Sequence, residues 1–406
     1  MANRGLVLYL HVHQPWRIRD YSVFDTAVDH EYFKDGTDVH ASNKAIMEKV
    51  ATKSYRPMNK LLLDLLNRYP DFKLSLSISG TFIEQAEAWA PDVLEDFKKI
   101  VSTGRVEIVT ETYYHSLAFF YSRPEFERQV KLHRDKVREL FGVETTAFRN
   151  TELSYNDQLA QWADEAGFKA IITEGWDKVL GWRSPNYVYR PHDTKNIKLL
   201  LKNYRLSDDI AFRFGNKAWE SWPLTADKFT MWANDALGDG QVVNLFMDYE
   251  TFGENVWEGT GIFQFFESFV GEWNNNEHNT FYTISGAADA FDSQDTVAMP
   301  DTVTWADTER DLTAWLGNNM QQEAMRHLYY LEDDVLRTND VELIGDWRRL
   351  TTSDHPYYMC TKWSNDGDVH AYFSPYDSPY DAFLYFMNAI RDVRYRLMDS
   401  SRRRGL

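Results

Sequence analysis

"GLVLYLHV", residues 5–12, is a short apolar run rich in β-forming residues, and polar side chains follow it at once. Six further runs of this kind recur before residue 250, with helical patterns between them. Alternating strands and helices are typical of a parallel sheet with crossover helices, and seven strands favour closure into a barrel. The sequence therefore predicts an α/β fold with barrel strands at residues 5–12, 74–79, 105–110, 145–149, 169–173, 197–202 and 241–247.

The helices expected between these strands cover residues 57–68, 82–101, 124–141 and 157–166. The third has clear end signals, because Ser122 and Glu125 match a capping box and Gly142 follows its last turn. After about residue 300 the pattern becomes mainly helical, with the polar stretch 292–304 as the junction. We therefore predict a barrel domain over 1–299 and a helical domain over 300–406, with helices at 307–338, 340–350 and 380–400 and a strand at 369–374.

Length, charge and cysteine content restrict the class of protein. A chain of 406 residues suits one large barrel with an appended domain. The net charge of −18 argues against nucleic acid and anionic membranes as partners, because both attract basic surfaces. No apolar run is long enough to span a membrane, and the first residues do not resemble a signal peptide. With Cys360 as its one cysteine, the chain is expected to be cytoplasmic, and its oligomeric state stays open.

Aromatic residues are unusually frequent, at 15% of the chain. A large core accounts for most of them. Several tryptophans nevertheless lie beside acidic residues in polar segments, where flat rings and hydrogen-bonding acids together suit a sugar. These tryptophans are Trp16, Trp176, Trp182, Trp219, Trp222, Trp257 and Trp305.

Charged and polar residues follow five of the seven predicted strands. In a parallel barrel the C-terminal strand ends meet on one rim, which is where active sites of such barrels lie. We therefore expect these side chains to converge on one cleft. They are His11 and His13 after the first strand, Glu111 and His115 after the third, Arg149 and Glu152 at the fourth, Glu174 after the fifth, and Asp248 and Glu250 after the seventh.

Three chemistries could use this set of residues. Glycoside hydrolysis needs two carboxylates that flank the scissile bond. A metal-assisted hydrolase would use His11, His13 and Asp248 as ligands. Proton abstraction would need a tuned base, for which the sequence shows no distinctive pattern. Glu152 and Asp248 also have ordinary explanations, as a surface residue and as a helix cap.

Five segments in this order resemble the conserved regions of the family-57 glycoside hydrolases, especially their α-amylase group. They are HVHQP, GRVEIVTETYYHSL, FRNTELSYND, DYETFGEN and LTTSDHPYYM, and the likeness continues through WADTERDLTAWLGNNMQ and DGDVHAYFSPYDSPYDAF. The resemblance implies an incomplete (β/α)7 barrel, a helical region that closes over the active-site cleft, α-glucan substrates and a retaining mechanism without metal or other cofactor. It places the nucleophile at Glu152 and the general acid/base at Asp248. Asn255 stands where the family often has His, which affects subsite details only.

The remaining candidates are assigned to substrate binding. We expect Arg149 to keep Glu152 ionised, and an apolar strand and nearby acids such as Glu250 to raise the pKa of Asp248. Other activities stay open: a 4-α-glucanotransferase on the same substrates, a zinc-dependent polysaccharide deacetylase, or an inactive glucan-binding protein. The predicted substrate-binding residues are His11, His13, Trp16, Glu111, His115, Arg149, Glu250, Trp305 and Asp354.

Overall fold

The computed structural model describes residues 4–35, 42–362 and 373–403, with side chains up to residue 399. All seven predicted strands are present, each within a few residues of its expected ends. They are β1 (Arg4–Val12), β2 (Leu74–Ile78), β3 (Val106–Ile108), β4 (Ala147–Arg149), β5 (Ala170–Glu174), β6 (Lys198–Lys202) and β7 (Val242–Asp248).

The strands form a ring of parallel neighbours. β1 pairs with β2 on one side and β7 on the other, β2 pairs with β3, and β4, β5 and β6 pair in order. At two positions in the ring, the pairing between neighbouring strands is much less extensive. A bridge between Thr110 and Phe148 joins β3 to β4, and the Asn203 amide donates to the Asn244 carbonyl at 2.8 Å between β6 and β7. The fold is therefore an incomplete (β/α)7 barrel, as the sequence indicates.

One further parallel strand, β8 (Asn279–Tyr282), was not predicted. It pairs with Arg4–Val7, so it covers only the beginning of β1, while β2 pairs with the end of the same strand. β8 follows the polar sequence NNNEH and has only four residues, too few for a clear alternation pattern. Pairs of two-residue strands lie outside the barrel, at Arg190–Pro191 with Thr296–Val297 and at Phe252–Gly253 with Val256–Trp257.

Helices of the barrel region follow the expected order, with one correction. The single helix predicted for 82–101 is two helices, because Pro91 begins a new helix after the non-helical Ala90. The end signals of the helix Arg123–Phe141 are confirmed, since Ser122 Oγ accepts a bond from the Glu125 amide and Gly142 is left-handed. The capping box is only half formed, because the Ser122 amide donates to the Ala118 carbonyl and the Glu125 carboxylate accepts from Arg128 and Arg348 instead. The helices are α1 (Asn43–Val50), α2 (Arg56–Arg68), α3 (Gly80–Trp89), α4 (Pro91–Ser102), α5 (Arg123–Phe141), α6 (Asp157–Glu165), α7 (Asp177–Leu180), α8 (Tyr204–Asp208), α9 (Ala226–Leu237), α10 (Ile262–Asn274) and α11 (Ile284–Ala290), with π-helical turns at Ala51–Tyr55 and Asp209–Arg213.

The C-terminal region is helical, but the long helix predicted for 307–338 is wrong. Residues 307–312 are not helical, and Asn318 forms a capping box with Gln321 that starts a new helix. Of the strand predicted at 369–374, residues 369–372 lie outside the described part of the chain, and residues 373–374 are not in a strand. The helices are α12 (Thr313–Leu316), α13 (Asn319–Tyr330), α14 (Glu332–Thr338), α15 (Val341–Leu350), α16 (Asp354–Tyr358) and α17 (Pro379–Arg403).

The C-terminal helices have a core of their own, and the segment after β1 joins it. Ile18, Tyr21 and Tyr32 are buried in the same cluster as Trp347 and Ile390. Buried Asp392 of α17 accepts bonds from the Ala27 amide, His30 and the Tyr32 hydroxyl at 2.6–2.7 Å. The helical region is thereby attached at the C-terminal end of β1. The domain boundary after residue 299 stays a prediction.

Among the described residues, no helix is both long and apolar enough to cross a membrane.

Candidate active site

The expected convergence of polar strand ends is present, and it has two layers. Below lies a buried layer made of His11, Glu111, His115 and Arg149, whose exposed fractions are 0–2%. Above it lies a layer that solvent reaches. The accessible layer contains His13, Glu152, Asp248, Glu250, Trp305 and Asp354, the last two from the chain that follows the barrel.

Glu152 is the residue held most firmly in the accessible layer. It lies in a short 3₁₀ turn, Thr151–Leu153, directly after β4. Its backbone is left-handed, with φ of 60°, and that of Leu153 is left-handed as well, with φ of 51°. Such conformations are costly for residues with a side chain and tend to occur at functional sites. The turn points the carboxylate into the cleft, where three side chains donate to it.

Those three donors keep Glu152 ionised. His115 Nε2 and Ser353 Oγ lie 3.1 Å and 3.0 Å from Oε1, and Trp305 Nε1 donates to Oε2 at 2.9 Å. Burial by itself would raise the pKa of Glu152, but the bond and charge of His115 outweigh it and lower the pKa to about 2. The cation expected for this task was Arg149. Its guanidinium instead lies 3.6 Å from Glu111, and His115 is the group in contact with Glu152.

Asp248 ends β7 and is the most accessible of these carboxylates. Its side chain is 45% exposed, and Oδ1 lies 3.6 Å from Nδ1 of His11. An acid in this position can reach a bound molecule in the cleft. The burial that we expected around Asp248 is found two residues later.

Glu250 is the carboxyl group whose proton affinity is raised. The Tyr55 hydroxyl donates to Glu250 Oε1, and the His13 amide lies 3.4 Å from the same oxygen. Burial, and after it the charge of Asp248, raises the pKa of Glu250 to about 8. The crowded acids therefore keep one carboxyl group protonated at neutral pH, as the sequence predicts. The protonated group is Glu250 and not the expected Asp248.

His13 connects the barrel to the helical region. Its Nδ1 lies 2.8 Å from the Ser79 hydroxyl and its Nε2 lies 3.0 Å from Asp354 Oδ2. Burial, with the nearby His115, lowers the pKa of His13 to about 4, so the ring is neutral and its Nε2–H donates to Asp354. Although burial opposes it, this contact lowers the pKa of the Asp354 carboxyl. The start of α16 thus places an ionised acid beside the cleft.

Some residues predicted to bind substrate do not fit that role. Glu111 and Arg149 are both 0% exposed, so a sugar in the cleft does not reach them. Trp16 donates to Glu84 at 2.7 Å and packs near Trp89, away from the contacts described above. The sequence indicates which residues end a strand, but not how deep each side chain lies.

A second charged cluster at the ends of β5 and β6 supports Trp305. Buried Glu174 accepts from Arg310 at 3.1 Å and lies 3.5 Å from Lys202. Arg310 also contacts the Trp305 carbonyl at 3.4 Å, and Lys202 lies 5.7 Å over its ring. Lys202 and Arg310 are not among the site residues that the sequence predicts. Lys202 could have been found, because it is a charged residue at the end of an apolar strand, like Asp248.

Within the described part of the chain, two groups of side chains have the spacing of metal ligands. They are His11, Glu111 and His115, and His13, His115 and Asp354, each with ligand atoms within 4.8 Å of one another. His115 belongs to both groups. Its two ring nitrogens lie 2.9 Å and 3.1 Å from the carboxylates of Glu111 and Glu152, and as two donors they have no lone pair for a metal. The donor set therefore suits hydrogen bonding better than ligation.

A parallel barrel whose strand ends carry accessible carboxylates is an arrangement that can support glycoside chemistry. The chain belongs to glycosyl hydrolase family 57, whose family model matches residues 7–300. This finding confirms the resemblance drawn from the five sequence segments.

Relatives and solved structures agree with the family. A protein of Methanocaldococcus jannaschii named "Putative alpha-amylase" is 43% identical over 368 residues, which are 88% of this chain and 78% of that protein. A 4-alpha-glucanotransferase of Thermococcus litoralis is 25% identical over 53% of this chain but 31% of its own length. The crystal structure of a 4-alpha-glucanotransferase of that organism has a TM-score of 0.68 at 17% identity and covers 88% of this chain and 56% of its own. A GH57 branching enzyme of Thermococcus kodakaraensis has a TM-score of 0.67 at 11% identity and covers 88% of this chain and 86% of its own, so both structures support the fold alone.

Proposed function

We propose that this protein is a retaining α-glucan hydrolase that cleaves α-1,4-glucosidic bonds, with Glu152 as nucleophile and Asp248 as general acid/base. The observation that carries the proposal is the state of Glu152. Glu152 is an accessible carboxylate with a pKa of about 2, so it is ionised at neutral pH. Three hydrogen-bond donors hold it in one position. A nucleophile needs both properties. Asp248 supplies the second carboxyl group that glycoside cleavage needs.

The reaction follows from the donors around each oxygen. Glu152 Oε1 has two donors and Oε2 has one, so Oε2 has the freer lone pair to attack the anomeric carbon. As that bond forms, the glycosidic C–O bond breaks, and Asp248 passes to the leaving oxygen the proton that the acid pair of Asp248 and Glu250 retains at neutral pH. Asp248 then removes a proton from water, whose oxygen attacks the same carbon and releases Glu152. Two inversions give a product with retained configuration.

A polymeric glucan is the substrate class that the relatives and the exposed tryptophans favour. Relatives of this chain are named as α-amylases and 4-α-glucanotransferases. Among the described residues, the strongly exposed tryptophans are Trp182, Trp222 and Trp257, at 91%, 43% and 66%. Trp182 lies between β5 and β6, Trp222 between β6 and α9, and Trp257 between β7 and α10, all in connections outside the barrel strands. Exposed rings of this kind suit the apolar C–H faces of glucose units.

The products from maltoheptaose distinguish hydrolysis from transfer. We expect oligosaccharides shorter than the substrate to dominate at all times, because water is the proposed acceptor. Chromatography of the complete mixture over time measures this. Products longer than seven units as the main early species would instead assign a 4-α-glucanotransferase, which shares the glycosyl-enzyme but uses a sugar acceptor. No change in the substrate would favour an inactive glucan-binding protein.

Removal of metal should leave activity unchanged, because two carboxylates suffice for this chemistry and both nitrogens of His115 are engaged. The measurement is glucan cleavage after prolonged treatment with a strong chelator, together with the zinc content of the treated protein. Activity that disappears with the zinc and returns when zinc is added would contradict the mechanism. It would favour the alternative function of a zinc-dependent deacetylase, which assays with acetylated polysaccharides would then test.

A further inference from the structure

A chain of alternating acids and histidines joins the two carboxylates of the cleft. Asp248 Oδ1 lies 3.6 Å from Nδ1 of His11, and His11 Nε2 lies 3.2 Å from Glu111 Oε1. Glu111 Oε2 lies 2.9 Å from Nδ1 of His115, and His115 Nε2 lies 3.1 Å from Glu152 Oε1. Glu111 is therefore the central member, with a histidine on each side. Since it is 0% exposed, it acts on other residues and has no contact with a sugar.

The geometry determines the charge of His115. Both of its ring nitrogens face a carboxylate, and an ionised carboxylate only accepts hydrogen bonds. Both nitrogens must therefore donate, which makes His115 an imidazolium ion. The other titratable groups around its ring are His11, His13 and Asp354, and only Asp354 adds negative charge. A buried cation of this kind is stable because it lies between two anions.

Glu111 is also placed to remain an anion. Besides the two histidines, Nη1 of buried Arg149 lies 3.6 Å from Oε2. None of the three guanidinium nitrogens of Arg149 has a hydrogen-bond partner among the described residues, so Glu111 is its nearest counter-charge. His115 itself has a left-handed backbone, with φ of 50°, which the contacts on both ring nitrogens hold in place. The surroundings of Glu111 thus fix its charge and the orientation of the ring.

We propose that Glu111 is a positioning residue that holds His115 as an oriented imidazolium ion and thereby keeps Glu152 ionised for attack. The inference rests on the proposed role of Glu152. It replaces the substrate-binding role that the sequence suggested for Glu111. Without the Glu111 charge, one nitrogen of His115 loses its anion and the ring loses its proton near neutral pH. Burial then raises the pKa of Glu152, and no cation opposes this rise.

The first test is the pH dependence of kcat/KM for Glu111→Gln. The pKa of Glu152 in the wild type is about 2. The acid limb of the pH profile, where kcat/KM falls because Glu152 becomes protonated, therefore lies far below neutral pH. A lowered pKa means that Glu152 stays ionised, and active, until the pH falls through that value. In the variant we expect the acid limb to move upward by about one pH unit or more, because burial raises the pKa of a carboxyl group. Below the new limb kcat/KM falls about tenfold per pH unit.

Glu107→Gln is the matched control. Glu107 lies on β3, just before Glu111 in the chain, but bonds to Ser75 and the Ser285 amide away from the cleft. Its neutralisation should leave the acid limb in place. Glu111→Asp, which keeps the charge, should return the limb towards the wild-type position. A Glu111→Gln enzyme that folds and keeps the wild-type limb would overturn the proposal.

A second measurement needs neither activity nor a folded Glu111 variant. Nitrogen NMR of labelled histidines in the wild type should show one ring that stays doubly protonated through neutral pH, since the pKa of His115 is raised to about 9 despite burial. The signal should disappear in His115→Gln. A neutral ring for His115 at pH 7 would overturn the proposal. Activity in a Glu152→Gln variant would instead refute the proposed function while leaving this NMR result intact.

Discussion

Glu152→Gln should abolish turnover of every α-glucoside, with a loss on the order of 10⁴-fold or more in kcat, since loss of a nucleophile costs this much or more in other enzymes that form a covalent intermediate. Glutamine occupies the same space and keeps an acceptor towards Trp305, so the turn after β4 should persist. It lacks the negative charge needed to form the glycosyl-enzyme. Initial rates with a maltooligosaccharide and with an activated glucosyl fluoride measure the effect, and both substrates should fail equally.

A matched control separates chemistry from folding. Glu139→Gln changes an exposed acid on α5 that pairs with Lys136, and it should keep wild-type rates. The thermal midpoint of Glu152→Gln should be somewhat lower than that of the wild type, because the lowered pKa of Glu152 means that its charge stabilises the fold at neutral pH, and the variant leaves His115 with one anion fewer; circular dichroism at the assay temperature should still show the native fold. A folded Glu152→Gln enzyme with more than a few per cent of wild-type activity would contradict the assigned nucleophile.

The loss of activity in Asp248→Asn should depend on the leaving group of the substrate. For natural glucans we expect a loss of about 10²–10⁴-fold in kcat/KM, because the leaving oxygen no longer receives a proton. Fluoride departs without one, so the first step with an α-glucosyl fluoride should change little. The second step needs a base and should become slow. The measurement is the ratio of kcat/KM for the fluoride to that for maltoheptaose, which should rise steeply in the variant.

Equal losses for both substrates would contradict the acid/base role of Asp248. Glu250→Gln is the informative companion variant, since the raised pKa lies on Glu250. If Glu250 were the proton donor, Glu250→Gln rather than Asp248→Asn would show the separation of leaving groups. The accessibility of Asp248, at 45% of its side chain, is the reason that we assign the role to Asp248.

The strand ends were the part of the site that the sequence predicts well. Charged side chains directly after five of the seven predicted strands are unusual, and a parallel barrel brings such ends together. His11, Glu111, Glu152 and Asp248 are therefore assembled as expected. The strands themselves are recognisable because they are short β-rich runs that alternate with helical patterns.

The sequence does not predict how deeply each side chain is buried or which residue it contacts. Whether Glu111 faces solvent or His115, and whether Arg149 faces Glu152 or Glu111, depends on packing between strands that are distant in the sequence. The same holds for the raised pKa, which lies on Glu250 because that carboxyl group is buried near the charge of Asp248, while Asp248 itself stays open to solvent. Ser353 reaches Glu152 from a helix start some 200 residues away, for which no local pattern exists.

The most direct test of the mechanism is to locate the sugar in a trapped intermediate. Asp248→Asn is mixed with an α-glucosyl fluoride, and the protein is analysed by intact mass spectrometry and then by peptide mapping. The account predicts a mass increase of one glycosyl unit, attached to the peptide that contains Glu152 and bonded to that residue. A sugar found on Glu250 instead, or no adduct together with wild-type products of inverted anomeric configuration, would contradict it.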